Sequence, residues 1–128
     1  MALDVGLSAA LVHTVTTEDT ATAVGSGDVP VLATPRLLAL CEAATVAALG
    51  EAGLDPGTTT VGTRVELEHL HATPVGETLT VTASLQHVDG RLLRFEAAVT
   101  DDADRLVGRA VLTRVVVERA AFLARAKS

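Results

Sequence analysis

One carboxylate, Glu42, stands in the middle of the stretch Ala33–Gly50, ATPRLLALCEAATVAALG, which is otherwise almost wholly apolar. At about 100° per residue, Glu42 projects with Pro35, Leu38, Ala39, Thr45, Val46 and Leu49, and all but Thr45 are apolar. Taking a carboxylate out of water is costly unless it is paired or hydrogen-bonded, and desolvation tends to raise its pKa. Glu42 is therefore a candidate site residue. A glutamate that pairs with an arginine at a dimer seam has the same pattern, and the helix alone leaves both readings open.

Further along, LEHLHATPVG places His69 in phase with Val65 and Leu67, on the apolar face of a strand. A core-facing histidine of this kind is more often structural than catalytic, and both readings stand. His71 shares the phase but sits beside Ala72–Pro74, where the strand ends. His13 and His87 have no acid or nucleophile near them in the pattern and are expected at surface or packing positions. With no cysteine pair and no H-x-x-x-H helix, His69 and His71 are not expected to bind metal. Thr34 is expected to cap the long helix, with Pro35 in its first turn. A helix N-terminus also favours negative charge, such as a carbonyl becoming an oxyanion. Gly62 admits close approach of a ligand or backbone, or else serves a turn.

The elements that must position these residues follow from composition and periodicity. Leu11–Gly25, rich in Thr and Val, is expected as a strand. GSGDVP breaks it, and the long helix closes at Gly50 or Gly53. Four strands follow, over Val61–Ala72, Glu77–Val88, Arg91–Asp101 and Arg105–Val117, with hairpin signals at Asp89–Gly90 and at DDAD. Glu118–Ser128 is expected as a short amphipathic helix. One strand, one helix and a four-stranded meander make an α+β layer fold in a single domain, residues 1–128. The helix is apolar around nearly its full circumference, and one sheet covers only one flank. The other flank must meet a further surface, most simply a second copy of the chain. A sheet wrapped around a buried helix and completed by dimerisation resembles the hotdog fold.

A net charge of −6 argues against general nucleic-acid binding, which needs a basic surface. A single cysteine, Cys41, rules out an intrachain disulfide framework and suits a reducing compartment. The N-terminus has no basic start and makes a poor signal peptide, and no apolar run is long enough to span a bilayer. A soluble, cytoplasmic protein without membrane partners is expected.

The run LATP…LCEAA…LDPG…VGTRVELEHLHATPVGETLTVTASLQHVDGRLLRFEAAVTD resembles the fluoroacetyl-CoA thioesterase family within the hotdog superfamily, over nearly the whole chain. Its most specific parts are the Thr-x7-Glu spacing, the Gly-Thr that opens the next strand, and the His before xxATPxG. The resemblance implies that Thr34, Glu42 and His69 are catalytic and that Gly62 lines the acyl site. It implies a homodimer, with further pairing of dimers left open, and acyl-CoA bound at the subunit interface. The implied reaction is thioester hydrolysis. Glu42 would act as nucleophile or base, and His69 would orient it, transfer protons or stabilise charge. Thr34 would donate to the carbonyl or take part in acyl transfer. No metal or other cofactor is implied, because coenzyme A is part of the substrate. One segment departs from the family's fluoroacetate specialist: VGSGDVPVLAT is short and lacks the aromatic lid. A small or medium acyl group, on coenzyme A or on a carrier protein, is expected in place of fluoroacetyl selectivity. Two other readings remain, a hotdog dehydratase or hydratase and a non-catalytic acyl-CoA-binding dimer. The coenzyme A phosphates have four candidate partners, Arg36, Arg64, Arg91 and Arg94.

Overall fold

The computed structural model describes residues 3–127. In chain order the elements are β1 (Ser8–Thr14), a 3-10 turn (Thr17–Asp19), α1 (Ala21–Val24), α2 (Thr34–Ala52) and β2 (Thr58–His69). They continue with β3 (Thr78–Asp89), β4 (Leu92–Thr100), β5 (Leu106–Glu118) and α3 (Arg119–Ala126). All five strands form one antiparallel sheet in the order β1-β3-β4-β5-β2, and α2 lies against it. This is the α+β architecture expected of a hotdog fold. Ser128, the last residue of the expected terminal helix, lies outside the described residues.

Two local expectations are corrected. The run Leu11–Gly25 is not one strand, because β1 stops at Thr14 and the remainder turns. The Asp19 carboxylate accepts hydrogen bonds from the backbone N–H and the hydroxyl of Thr16, at 2.9 and 3.1 Å. Thr20 caps α1 by accepting from the Ala23 N–H at 3.2 Å. Such local bonds compete with strand pairing and here they win. The four later strands, in turn, are not an unbroken meander. β3, β4 and β5 are, but β2 crosses to the far side of β5 and forms a sheet edge. Its end is fixed by the N–H groups of Leu70 and His71, which donate to the Val107 carbonyl at 2.8 and 3.1 Å.

The core is aliphatic, as the scarcity of aromatics requires, with Phe95 its one fully buried ring. Alternate residues of β3 and β4, among them Leu79, Val81, Leu85, Phe95 and Val99, face α2. The helix answers with Leu37, Leu40, Cys41, Ala44, Ala48 and Leu49. Two alanines in that stripe bring the helix backbone close to the sheet. The opposite flank of α2 stays open in one protomer: Ala43, Val46 and Gly50 are exposed, Val46 by 52%. Among the described residues, no helix is long and apolar enough to cross a membrane.

Candidate active site

Thr34 opens α2 but does not cap it. Ala33 occupies the cap position, which has no side-chain cap bond, so the expected capping role is corrected by one residue. The Thr34 hydroxyl is left exposed and lies 2.8 Å from His69 Nδ1.

His69 is the last residue of β2 and is half-buried. Its second ring nitrogen, Nε2, is buried and meets no partner within the protomer. Burial pushes the imidazole below its usual pKa, partly opposed by the backbone of His71. A neutral imidazole has one donor and one acceptor nitrogen. With Nδ1 engaged by Thr34, Nε2 is the ring nitrogen left without a hydrogen-bond partner. His69 pairs in register with Gly108 on β5. A Cβ on Gly108 would stand 2.7 Å from Leu37 Cδ2 and 2.9 Å from the Glu68 carbonyl oxygen. Glycine at this position therefore lets the first turns of α2 approach β2 and β5 closely enough for the Thr34–His69 contact.

A second cluster lies two turns along α2. Glu42 Oε2 is 3.6 Å from Arg114 Nη1, an ion pair too long for a good hydrogen bond. Gly62 lies opposite Arg114 in the β2–β5 register. A Cβ on Gly62 would come within 2.7 Å of Glu42 Oε2, so the missing side chain makes room for the carboxylate. Gly62 lies inside β2 at a bulge, and the strand begins at Thr58, three residues before the expected Val61. Glu42 is less enclosed than its helical neighbours suggested, because its side chain is 37% exposed in one protomer.

Arg114 was not among the arginines expected to matter. Its side chain is 9% exposed. Its Nε donates to Thr60 Oγ1 at 2.9 Å and its Nη2 to the Thr60 carbonyl at 3.1 Å. Burial lowers its pKa and Glu42 opposes the shift. A signal was present in the sequence: Arg114 shares the inward phase of Ala110 and Leu112, where a charge needs a partner. Of the arginines considered for phosphate binding, Arg36 is engaged by Asp19 and Arg64 by Glu66, whereas Arg91 and Arg94 are exposed. His13, expected at the surface or in packing, instead donates through Nε2 to Asp19 at 2.7 Å.

Burial, reinforced by Glu42, pushes the Cys41 thiol up to about 11, so it is no thiolate nucleophile. Among the described residues, no three His, Cys, Asp or Glu side chains gather as metal ligands would. A concavity of about 870 Å³ lies on the outer sheet face, and none of Thr34, Glu42, Gly62 or His69 lines it. Glu66, Glu68 and Glu96 line it, an unfavourable setting for a polyanion.

The two clusters are separate within one protomer. Thr34 and Glu42 are eight residues apart on α2, about 12 Å along its axis. Their partners, His69 and Gly62, lie toward opposite ends of β2.

Comparison with known proteins shows the family. Residues 15–120, which include all four candidates, match the model of the family described as fluoroacetyl-CoA-specific thioesterase, FlK. The fluoroacetyl-CoA thioesterase of Streptantibioticus cattleyicolor is 36% identical over 97 residues, 76% of this chain and 68% of that protein. A solved structure of the fluoroacetyl-CoA thioesterase FlK superposes with a TM-score of 0.91 at 29% identity, covering 99% of this chain and 97% of that one. A thioesterase superfamily member from Thermus thermophilus shares the fold, with a TM-score of 0.89 at 24% identity over 97% of this chain and 90% of its own. The chain belongs to the fluoroacetyl-CoA-specific thioesterase family, a group of hotdog-fold thioester hydrolases.

Proposed function

We propose that this protein hydrolyses the thioester between coenzyme A and a small or medium acyl group, in two sites that form when two copies pair. The observation that carries the reading is the Thr34–His69 hydrogen bond at the start of α2, with His69 Nε2 buried and without a partner. The position of β2 at the sheet edge supports the pairing. Suppose two β2 edges met antiparallel about an axis near Val65–Glu66, halfway between Gly62 and His69. Glu42 and Gly62 of one copy would then approach His69 and Thr34 of the other. The open flank of α2 and the 39% exposed Val65 would be covered in the same step. Burial by the second copy would also supply the dry surroundings that Glu42 lacks in one protomer.

The chemistry follows from these positions. A thioester carbonyl held at the N-terminus of α2 meets outward N–H groups and the Thr34 hydroxyl, which favour its developing negative charge. Glu42 takes a proton from water as the water oxygen bonds to the acyl carbon. When the C–S bond breaks, the leaving sulfur receives a proton relayed through the neutral imidazole of His69. Coenzyme A enters as part of the substrate, and no further cofactor takes part. The exposed Arg91 and Arg94 are the candidates for its phosphates. A variant of the related FlK has been solved in complex with fluoroacetate and CoA, and it aligns over 94% of this chain at 30% identity. The segment before α2 here is short and aliphatic, with Val24 and Val29 exposed, which fits an alkyl acyl group better than selective recognition of fluorine. The buried, unpaired Cys41 fits a cytoplasmic location.

The test is thiol release across a series of acyl-CoA chain lengths. Release with a short-chain optimum, abolished by Glu42→Gln in a folded protein, is the expected result. Binding of acyl-CoA without release would instead make the protein a binding module.

A further inference from the structure

Outside the two clusters, the Asp19 carboxylate accepts four hydrogen bonds. The residue is 3% exposed and sits in the 3-10 turn that precedes α1. Oδ2 accepts from His13 Nε2 at 2.7 Å, from the Thr16 N–H at 2.9 Å and from the Thr16 hydroxyl at 3.1 Å. Oδ1 accepts from Arg36 Nε at 3.0 Å. The backbone carbonyl of Asp19 accepts from the Ala33 N–H at 2.9 Å. Asp19 thus holds the residue before Thr34 through its backbone and the residue two beyond it through its side chain.

This grip falls where the helix needs one. Ala33 offers no side-chain acceptor, and an uncapped first turn frays. A fixed carboxylate beside that turn also favours the helix dipole. Among the described residues, the exposed Thr34 hydroxyl bonds His69 alone, so nothing but the set of the helix turn holds it there.

We propose that Asp19 is a positioning residue: with Arg36 and His13 it fixes the first turn of α2, and so keeps the Thr34 hydroxyl on His69 Nδ1. It touches no reacting atom. The proposal rests on the assignment of Thr34 and His69 to the site.

Asp19→Asn keeps the shape but removes the charge and points an amide at groups that donate. In the full-length protein its kcat for thiol release is expected to fall by about tenfold or more, with KM changed less than about twofold. In a Thr34→Ala background the same substitution is expected to cost nothing further, because its effect passes through the hydroxyl. The ¹⁵N resonance of His69 Nδ1 reports the contact without turnover, and Asp19→Asn is expected to move it in the same direction as Thr34→Ala. An unmoved resonance, or a kcat loss that multiplies onto that of Thr34→Ala, would overturn the proposal. Should Asp19→Asn fail to fold, Arg36→Gln removes one grip from a half-exposed side chain and is read the same way. If the wild type releases no thiol while the resonance still moves, the hydrolase reading fails and the positioning role stands.

Discussion

The Thr34 hydroxyl bonds an imidazole and not its own helix, so chemistry and stability separate at this residue. Thr34→Ala is expected to lower kcat by about 100-fold while unfolding free energy changes by less than about 1 kcal/mol, measured by thiol release and urea denaturation. Parallel losses would make Thr34 structural. Gly62→Ala tests the second cluster. Its methyl group would press on the flexible end of Glu42, so the fold should survive while the carboxylate leaves Arg114. A clear fall in kcat at an unchanged melting temperature is expected, and unaltered kinetics would show that the carboxylate position is unimportant. Burial keeps His69 neutral to lower pH than usual, and protonation would remove its acceptor nitrogen. The acid limb of kcat/KM is therefore expected below about pH 6.5, and a limb at or above it would contradict a working neutral imidazole. Glu42 and His69 were legible because each breaks an apolar phase. Arg114 breaks one too, but a strand ending in three valines masks it. Asp19 was hidden by the Thr-rich run, although Thr16-x-x-Asp19 has the spacing by which an acid three residues on can bond a cap residue's N–H.

At the level of elements, the first turn of α2 is set between the Asp19 turn and the end of β2. The Asp19 carboxyl is held at about 2, against an ordinary 3.8: burial raises it, and the bonds from Thr16, His13 and Arg36 outweigh burial. A folded-state pKa below the unfolded one means that the folded chain binds fewer protons. The resulting stability, on the order of 2 kcal/mol, is complete above about pH 4 and is lost as pH falls toward 2. Urea midpoints of the wild type are expected to drop across that window and those of Asp19→Asn to lack this component. Equal slopes would show that the carboxylate is not held as described. Gly108→Ala probes the other side of the turn. Its Cβ would meet the Glu68 carbonyl, rigid backbone next to His69. A loss of about 1–3 kcal/mol in stability, together with reduced kcat, is expected from such overpacking, and full activity at full stability would refute the close approach. The strands and the long helix were readable from period and turn residues. The crossing of β2 was not, because pairing partners are chosen by tertiary packing, and local pattern does not record the choice.

For the whole molecule, one protomer carries the Thr34–His69 and Glu42–Gly62–Arg114 clusters on one helix, about 12 Å apart along the axis, and leaves the apolar flank of α2 exposed. The all-round apolar helix made that open flank legible in advance. The separation of the two clusters within one protomer did not show in the sequence, since it depends on which residues of β2 lie near each end of α2. The central claim is that Glu42 of one copy works with Thr34 and His69 of the other, and subunit complementation tests it most directly. Glu42→Gln and His69→Ala, each inactive alone, are mixed under conditions that exchange subunits, and thiol release is measured. A shared site leaves one intact centre in every mixed dimer, so about a quarter of wild-type activity is expected from an equal mixture of randomly paired subunits. Activity that stays at the level of the separate variants, after exchange is verified, would place Glu42 and His69 in the same protomer's site and contradict the account.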